Sequence, residues 1–344
     1  MLNEMTEAAF YNALTLLQRS GYEKLADLKK RHGKWSEAWQ NLKAATKTNI
    51  NPQAEWEKLD KSGVKLVLLE DPDYPGKLKE IPLPPFGIYH RGPLPKNELI
   101  ISIVGTRKAT SEGKELAKNL ASALTKSGFI IVSGLALGID GAAHEGCLSS
   151  SGVTLAVLAN GLDRFYPAQN EKLAKRILNE GGAIVSEYPL GTESLPYRFL
   201  ERNRIVSGLS NGTLIVEAPI NSGALTTARF ALEQNREVFV VPGPVSHPNF
   251  KGSLQLIRSG ATLVTCADEI LEAFGLEIQP VEQKEGAVTA EEEIVLQALK
   301  LNLKPADVDK IKELTNLEIR DVNRTLSFLI TKNLVKETED GYTL

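Results

Sequence analysis

Three glycine-containing turns in the middle of the chain carry the groups best suited to hold an anion. The first, Gly105-Thr106-Arg107-Lys108-Ala109-Thr110-Ser111-Glu112-Gly113, follows the apolar run Ile100–Val104 and precedes Leu116, Leu120 and Leu124 at helical spacing. A strand that turns at glycine into a helix presents backbone amides at the turn, and Arg107, Lys108 and the hydroxyls of Thr110 and Ser111 stand beside them. Those groups suit a phosphate. The second turn, from Ser133 and Gly134 to Gly138, Asp140, Gly141 and His144, repeats the offer after the strand at 129–132. Gly134 lets backbone approach a ligand closely, and Gly138 and Gly141 allow tight packing of the next helix. The third, Ser222-Gly223-Ala224, opens a helix after a strand ending at Glu217. Arg202-Asn203-Arg204, read as the start of the preceding helix, adds two guanidinium groups whose only evident local partner is Glu201.

Other chemistries fit these turns less well. A dinucleotide site needs three closely spaced glycines and an acid at the end of the next strand, but that strand ends in Val132-Ser133-Gly134. Asp140 and His144, four residues apart with Cys147 nearby, form a conceivable acid–base set. An Asp at a helix start is more often a cap, and a helical His more often a structural hydrogen-bonding group. No catalytic residue, cofactor or metal ligand is therefore assigned. Cys147 and Cys266 form no CxxC pair and no disulfide framework, which fits a reducing compartment. Several weak phosphate cradles on one sheet edge are more telling than any one of them. They read as a track for successive phosphates, its rim closed by Pro242-Gly243-Pro244 and Lys251-Gly252-Ser253, with Phe165 and Tyr166 placed to stack on a base.

The elements that must position these turns follow from periodicity. Apolar runs near 64–69, 86–91, 100–104, 129–132, 154–158, 183–185, 212–216, 238–241 and 262–264 read as strands, with helical patterns between most of them. Such alternation predicts an α/β fold with a Rossmann-like, doubly wound, mostly parallel sheet over residues 63–275, with 86–91 as an edge strand. Residues 1–62, which hold all three tryptophans, predict a small helical, SAM-like domain. Residues 276–288 read as a linker, and 289–344 as three short helices and a hairpin, a winged-helix-like domain. Its third helix offers only Arg320 and Arg324, and its wing carries Glu337, Glu339 and Asp340, which favours a protein-interaction or vestigial module over a groove reader. With a net charge of -3 and a pI near 6.0, any polyanion site must be a local patch. No apolar run has the length of a signal or a membrane span, so a cytoplasmic protein without membrane association is expected.

Taken together, Val104-Gly-Thr-Arg107, Ser133-Gly-Leu-Ala-Leu-Gly-Ile-Asp140 with Ala143-His144, Gly161-Leu-Asp with Tyr166-Pro167, Ser186-Glu-Tyr-Pro189, Arg202-Asn-Arg204, Ser222-Gly-Ala with Thr227-Ala228, Val241-Pro-Gly243 and Gly260-Ala261 resemble the DNA-processing protein A family, also called Smf. The resemblance spans the central domain in family order. It implies a protein without enzymatic activity that binds single-stranded DNA, forms a homodimer, and loads the RecA recombinase onto incoming strands during natural transformation. It also implies a nucleic-acid pocket at Arg107 and the Ser133-Gly134 turn, supported by Arg202 and Arg204, to which the residue reading adds Gly105, Thr106, Lys108, Phe165, Ser222 and Gly223. The chain departs from the family at Leu254, where Asn is usual, and lacks the glycine hairpin of the N-terminal domain. The competing class is a nucleotide-binding enzyme of the phosphoribohydrolase type. Its Pro-Gly-Gly-x-Gly-Thr signature has no counterpart in Asn221-Ser222-Gly223-Ala224-Leu225-Thr226. A third reading, a transcriptional regulator acting through residues 289–344, is disfavoured by the acidic wing.

Overall fold

The computed structural model describes residues 5–18, 22–46, 48–96, 98–276, 290–302, 305–315, 317–331, 334–338 and 341–344. The chain divides into two compact units, Met1–Leu276 and Glu277–Leu344. The linker expected at 276–288 falls, from residue 277 onward, outside the described residues.

In the first unit, helices α1 (Glu7–Gln18), α2 (Tyr22–His32), α3 (Trp35–Thr46) and α4 (Pro52–Lys61) precede the sheet. Asn51 caps α4 by accepting the Gln53 and Ala54 amides, and Pro52 follows at the position where a missing N–H is harmless. These helices are packed onto the sheet domain. Tyr11, Leu14, Trp35 and Trp39 lie in one apolar cluster with Leu158 and Ile184 of that domain. The Tyr89 hydroxyl reaches Asn12 at 3.0 Å and Thr15 at 2.9 Å, so hydrogen bonds cross the junction as well.

Among the described residues the sheet has nine strands: β1 (Lys65–Leu68), β2 (Gly87–Arg91), β3 (Ile100–Val104), β4 (Ile130–Ser133), β5 (Thr154–Leu158), β6 (Ala183–Ser186), β7 (Gly212–Ile215), β8 (Glu237–Val240) and β9 (Thr262–Leu263). Their order is β1-β2-β6-β5-β4-β3-β7-β8-β9. The β1–β2 and β2–β6 pairs are antiparallel and the rest parallel. β3 and β5 are buried at every position, as strands covered on both faces must be. This is the doubly wound, mostly parallel sheet that the spacing predicts. One strand differs from expectation. Residues 86–91 predict an edge, but β1 pairs with the outer side of β2 and takes the edge itself, with Lys65 exposed.

The helices after the sheet begins are α5 (Gly76–Lys79), α6 (Ser111–Lys126), α7 (Ile139–Ser149), α8 (Glu171–Asn179), α9 (Pro196–Gly208), α10 (Gly223–Glu233), α11 (Lys251–Arg258) and α12 (Ala267–Ala273). From β3 the chain winds outward through β4, β5 and β6, and α9 then carries it back to β7 on the other side of β3. The order reverses at β3, so its carboxyl end is the topological switch point, where open α/β sheets bind ligands. Among the described residues no helix is long and apolar enough to cross a membrane.

The second unit holds α13 (Ala290–Leu301), α14 (Val308–Thr315), α15 (Ile319–Thr331) and an antiparallel ribbon of β10 (Lys336–Thr338) and β11 (Gly341–Thr343). Val295, Ile311, Val322, Leu326 and Leu329 form its core. The second helix begins at Val308 and not at Pro305, because Ala306 pairs with Tyr342 of the ribbon. Arg324 of α15 is already engaged by Glu291 at 2.9 Å and Asp321 at 3.3 Å.

Candidate nucleic-acid interface

The β3 turn puts its two basic residues at a crest. Thr106 is buried and fixed on three sides: its N–H donates to the Glu217 carbonyl at 2.7 Å, its carbonyl accepts the Ile139 N–H, and its hydroxyl accepts the Lys108 N–H. Gly105 beneath it has no room for a side chain, since a Cβ there would meet Ile139 and the Glu217 carbonyl. A rigid base therefore lifts Arg107 and Lys108, both exposed, into solvent.

Arg107 is not alone there. Its guanidinium lies 4.7 Å from the centre of the Phe199 ring on α9, and Phe199 in turn lies 5.6 Å from the ring of Tyr166. Tyr166 is 44% exposed. A cation stacked on one aromatic ring beside a second, solvent-facing ring offers a charge for a phosphate and a flat apolar face for a base in one place. Sequence reasoning passed over Phe199, although the signal was there. With α9 starting at Pro196, Phe199 and Arg202 are three apart and share a face of that helix.

The remaining predicted residues serve the fold under this crest. The start of α6, read as a phosphate cradle, is filled by the chain's own carboxylate. Glu217, fully buried, accepts the Thr110 N–H at 3.1 Å, the Thr110 hydroxyl at 2.5 Å and the Asn249 amide at 2.8 Å. A Cβ on Gly113 would fall on that carboxylate. An anion thus already neutralises the amino end of α6, and Thr110 and Ser111 do not present it to a ligand. Asn249 also donates to the Lys108 carbonyl at 3.0 Å, so one buried acid and one amide shape the turn.

In the second turn, Ser133 is buried and donates its hydroxyl to the Ile103 carbonyl at 2.6 Å, while the Gly134 N–H goes to Asp140 at 3.1 Å. Both point inward. Arg202 and Arg204 do not form a phosphate clamp at a helix start. Pro196 begins α9, which places both arginines well inside the helix, and both are buried. Arg202 donates to the carbonyls of Gly134, at 2.7 Å, and Val157. Arg204 is bound to Glu187 at 2.6 Å. Burial opposes the Arg204 charge, but the adjacent Glu187 carboxylate outweighs it and raises its pKa above the ordinary value. The Phe165 ring packs against the apolar cluster shared with the N-terminal helices, leaving Tyr166 as the outward ring. Ser222 caps α10 by accepting the Ala224 N–H at 3.2 Å, and the Gly223 carbonyl accepts from Asn203 at 3.1 Å.

No acid–base pair is assembled from Asp140 and His144. Asp140 faces the Gly134 and Ala136 amides, and burial raises its pKa against the pull of Arg202 and of those two amides. The Thr154 hydroxyl donates to the Ile131 carbonyl at 2.7 Å, so it must accept from His144, whose Nδ1 lies 2.7 Å away and therefore carries the proton. Burial, with Arg202 adding to it, lowers the His144 pKa to about 3, which keeps the ring neutral. The unfolded chain takes up this proton near pH ~6.5. Between that pH and about 3 the unfolded state binds one more proton, so stability falls as the pH is lowered, by about 1.4 kcal/mol per unit from this group. Urea denaturation from pH 7 to 4 should show this slope in the wild type and its loss in His144→Gln.

Comparisons with known proteins assign the fold to a family. The family model for DNA recombination-mediator protein A matches residues 65–275. The chain is 43% identical over 234 residues to the protein Smf of Synechocystis sp., covering 67% of this chain and 58% of that protein. It is 45% identical over 216 residues to the protein Smf of Escherichia coli, covering 62% of this chain and 55% of that protein. The matched region thus spans little more than half the length of these two relatives. Among solved structures, DNA processing protein A of Streptococcus pneumoniae superposes with a TM-score of 0.62 at 29% identity, covering 80% of this chain and 95% of that one. DNA processing protein A of Helicobacter pylori, studied for its single-stranded DNA binding mode, superposes with a TM-score of 0.54 at 30% identity, covering 61% of this chain and 95% of that one. By its sheet, its turns and the extent of the match, the chain belongs to the DNA recombination-mediator protein A family.

Proposed function

We propose that this protein binds single-stranded DNA at the carboxyl end of β3, with Arg107 and Lys108 holding phosphates and with Phe199 and Tyr166 stacking against bases. The observation that carries the reading is the exposed Arg107 guanidinium laid on Phe199 beside the exposed Tyr166 ring. Gly105, Thr106, Ser133 and Gly134 form the floor that holds these groups, and Ser222 and Gly223 lie at the exposed start of α10. The single-stranded DNA binding of the Helicobacter pylori relative supports the assignment. In the cell, the protein would act in the cytoplasm as a homodimer that protects incoming strands and loads the RecA recombinase during natural transformation.

Contact through phosphates and base faces gives little sequence preference and a strong dependence on salt. Fluorescence anisotropy with labelled oligothymidylate, a mixed-sequence single strand and the matching duplex tests the proposal. Both single strands should bind similarly, and at least tenfold more tightly than the duplex. Equal affinity for the duplex would contradict it.

A further inference from the structure

Arg202 is the buried group that joins the two halves of the proposed interface. It is 4% exposed, and its guanidinium donates to the Gly134 carbonyl at 2.7 Å and to the Val157 carbonyl. A Cβ on Gly134 would fall on that guanidinium, so the glycine is what lets the arginine reach the turn. The other side of the turn is held by Asp140, which accepts the Gly134 N–H at 3.1 Å and the Ala136 N–H at 3.4 Å. Asn170 donates to the Leu135 and Ala136 carbonyls at 2.9 and 3.1 Å. These contacts keep Leu135 at a φ of 57°, a left-handed conformation that a leucine adopts only when its surroundings impose it.

The turn then passes directly against the β3 crest. Gly138, at a φ of 82°, leaves no space for a side chain next to the backbone of Thr106 and Arg107. On α9, Phe199 sits one helical turn before Arg202 and beneath the Arg107 guanidinium. One arginine is therefore fastened at one end to the turn that abuts Arg107 and belongs at the other to the helix that carries Phe199.

We propose that Arg202 is a positioning residue for nucleic-acid binding: by tying α9 to the Gly134 turn it sets the spacing between the Arg107 cation and the Phe199 ring, and it does not contact phosphate. The inference rests on the single-strand reading of the site. Its physical basis is reach: one terminal guanidinium nitrogen, Nη1, donates to both carbonyls from the end of the long arginine side chain, and a lysine ammonium keeps the charge on a stem one bond shorter and without the rigid planar group. Burial, the main influence on the group, lowers the Arg202 pKa to about 10, so the guanidinium is charged at neutral pH and its substitution by Lys is a test of geometry and not of charge.

The experiment compares full-length wild type, Arg202→Lys, Asp140→Asn and Arg107→Ala. Anisotropy with a labelled oligothymidylate is followed over a series of salt concentrations, and an oligomer containing 2-aminopurine reports stacking at saturating protein. Arg202→Lys should bind about tenfold more weakly, with the slope of log affinity against log salt unchanged and with reduced quenching of the bound 2-aminopurine. Arg107→Ala should reduce the slope by about 0.7, the loss of one phosphate contact on a single strand. If Arg202→Lys does not fold by circular dichroism, Asp140→Asn carries the test, since it loosens the same turn and should give the same unchanged slope and weaker quenching. Wild-type affinity and quenching in Arg202→Lys, or a reduced slope in either turn variant, would overturn the inference. Failure of the wild type itself to bind the single strand would overturn the reading of function on which it rests.

Discussion

Arg107→Ala should weaken binding of a single-stranded oligothymidylate by about 30-fold at low salt. Arg107 is exposed and its guanidinium is laid on Phe199, so truncation removes a charge-assisted phosphate contact and uncovers the ring at once. A hydrogen bond to a charged group contributes about 1.5–3 kcal/mol, and about 2 kcal/mol corresponds to the stated factor. Phe199→Ala should lower affinity by a similar factor, because a base stacked on an aromatic ring contributes about 1–3 kcal/mol. The two side chains touch, so the double variant should lose less than the product of the single losses. The salt dependence separates their roles: it shallows in Arg107→Ala and stays at the wild-type value in Phe199→Ala. Titrations at several salt concentrations give both numbers.

Glu187→Ala should destabilise the first unit by about 3–5 kcal/mol, the usual consequence of leaving one partner of a buried ion pair uncompensated. Glu187 and Arg204 are 2.6 Å apart, with side chains only 12% and 7% exposed. Around them meet the loop after β6, helix α9, and Tyr22 of the N-terminal helices, whose ring lies 5.8 Å from the Arg204 guanidinium and 5.0 Å from Phe86. The pair therefore also fastens the helical segment to the sheet. Urea denaturation should show the loss as a lower midpoint. Replacing both partners by apolar residues, Glu187→Leu with Arg204→Met, should recover much of it, since no charge is then left buried. Single-strand affinity below the midpoint should change little in either variant, because neither side chain reaches the Arg107 crest.

The frame of this protein was legible in its residues, while the assignment of its polar groups was not. Short apolar runs such as Ile100–Val104 and Thr154–Leu158, closed by turns, read as buried parallel strands, and their alternation with helices gave the doubly wound sheet but not the strand order that puts the switch point at β3. Arg107 and Lys108 were legible for the same reason: a short turn bound on both sides by regular structure leaves its middle residues outside. Arg202 and Arg204 misled because neither partner is near in sequence. Gly134 lies 68 residues before Arg202, and Glu187 lies 17 residues before Arg204 in a different element. Glu217 was read as the end of a strand, and nothing local indicates that its carboxylate occupies the start of α6, 107 residues earlier in the chain. Long-range pairings of this kind are set by the crossovers, which pattern and propensity describe only in outline. Phe199 is the opposite case. Its role follows from placing the start of α9 at Pro196, and reading the helix as beginning near Arg202 concealed it.

The position of a bound strand on the protein tests the proposed interface most directly. Photocrosslinking of an oligothymidylate carrying 5-iododeoxyuridine, with mass spectrometric mapping of the adducts on the full-length protein, locates the bases without any substitution. Adducts on Tyr166 and Phe199 are the predicted result. Adducts confined to the N-terminal helices or to residues 290–344, with none on these two rings, would contradict it.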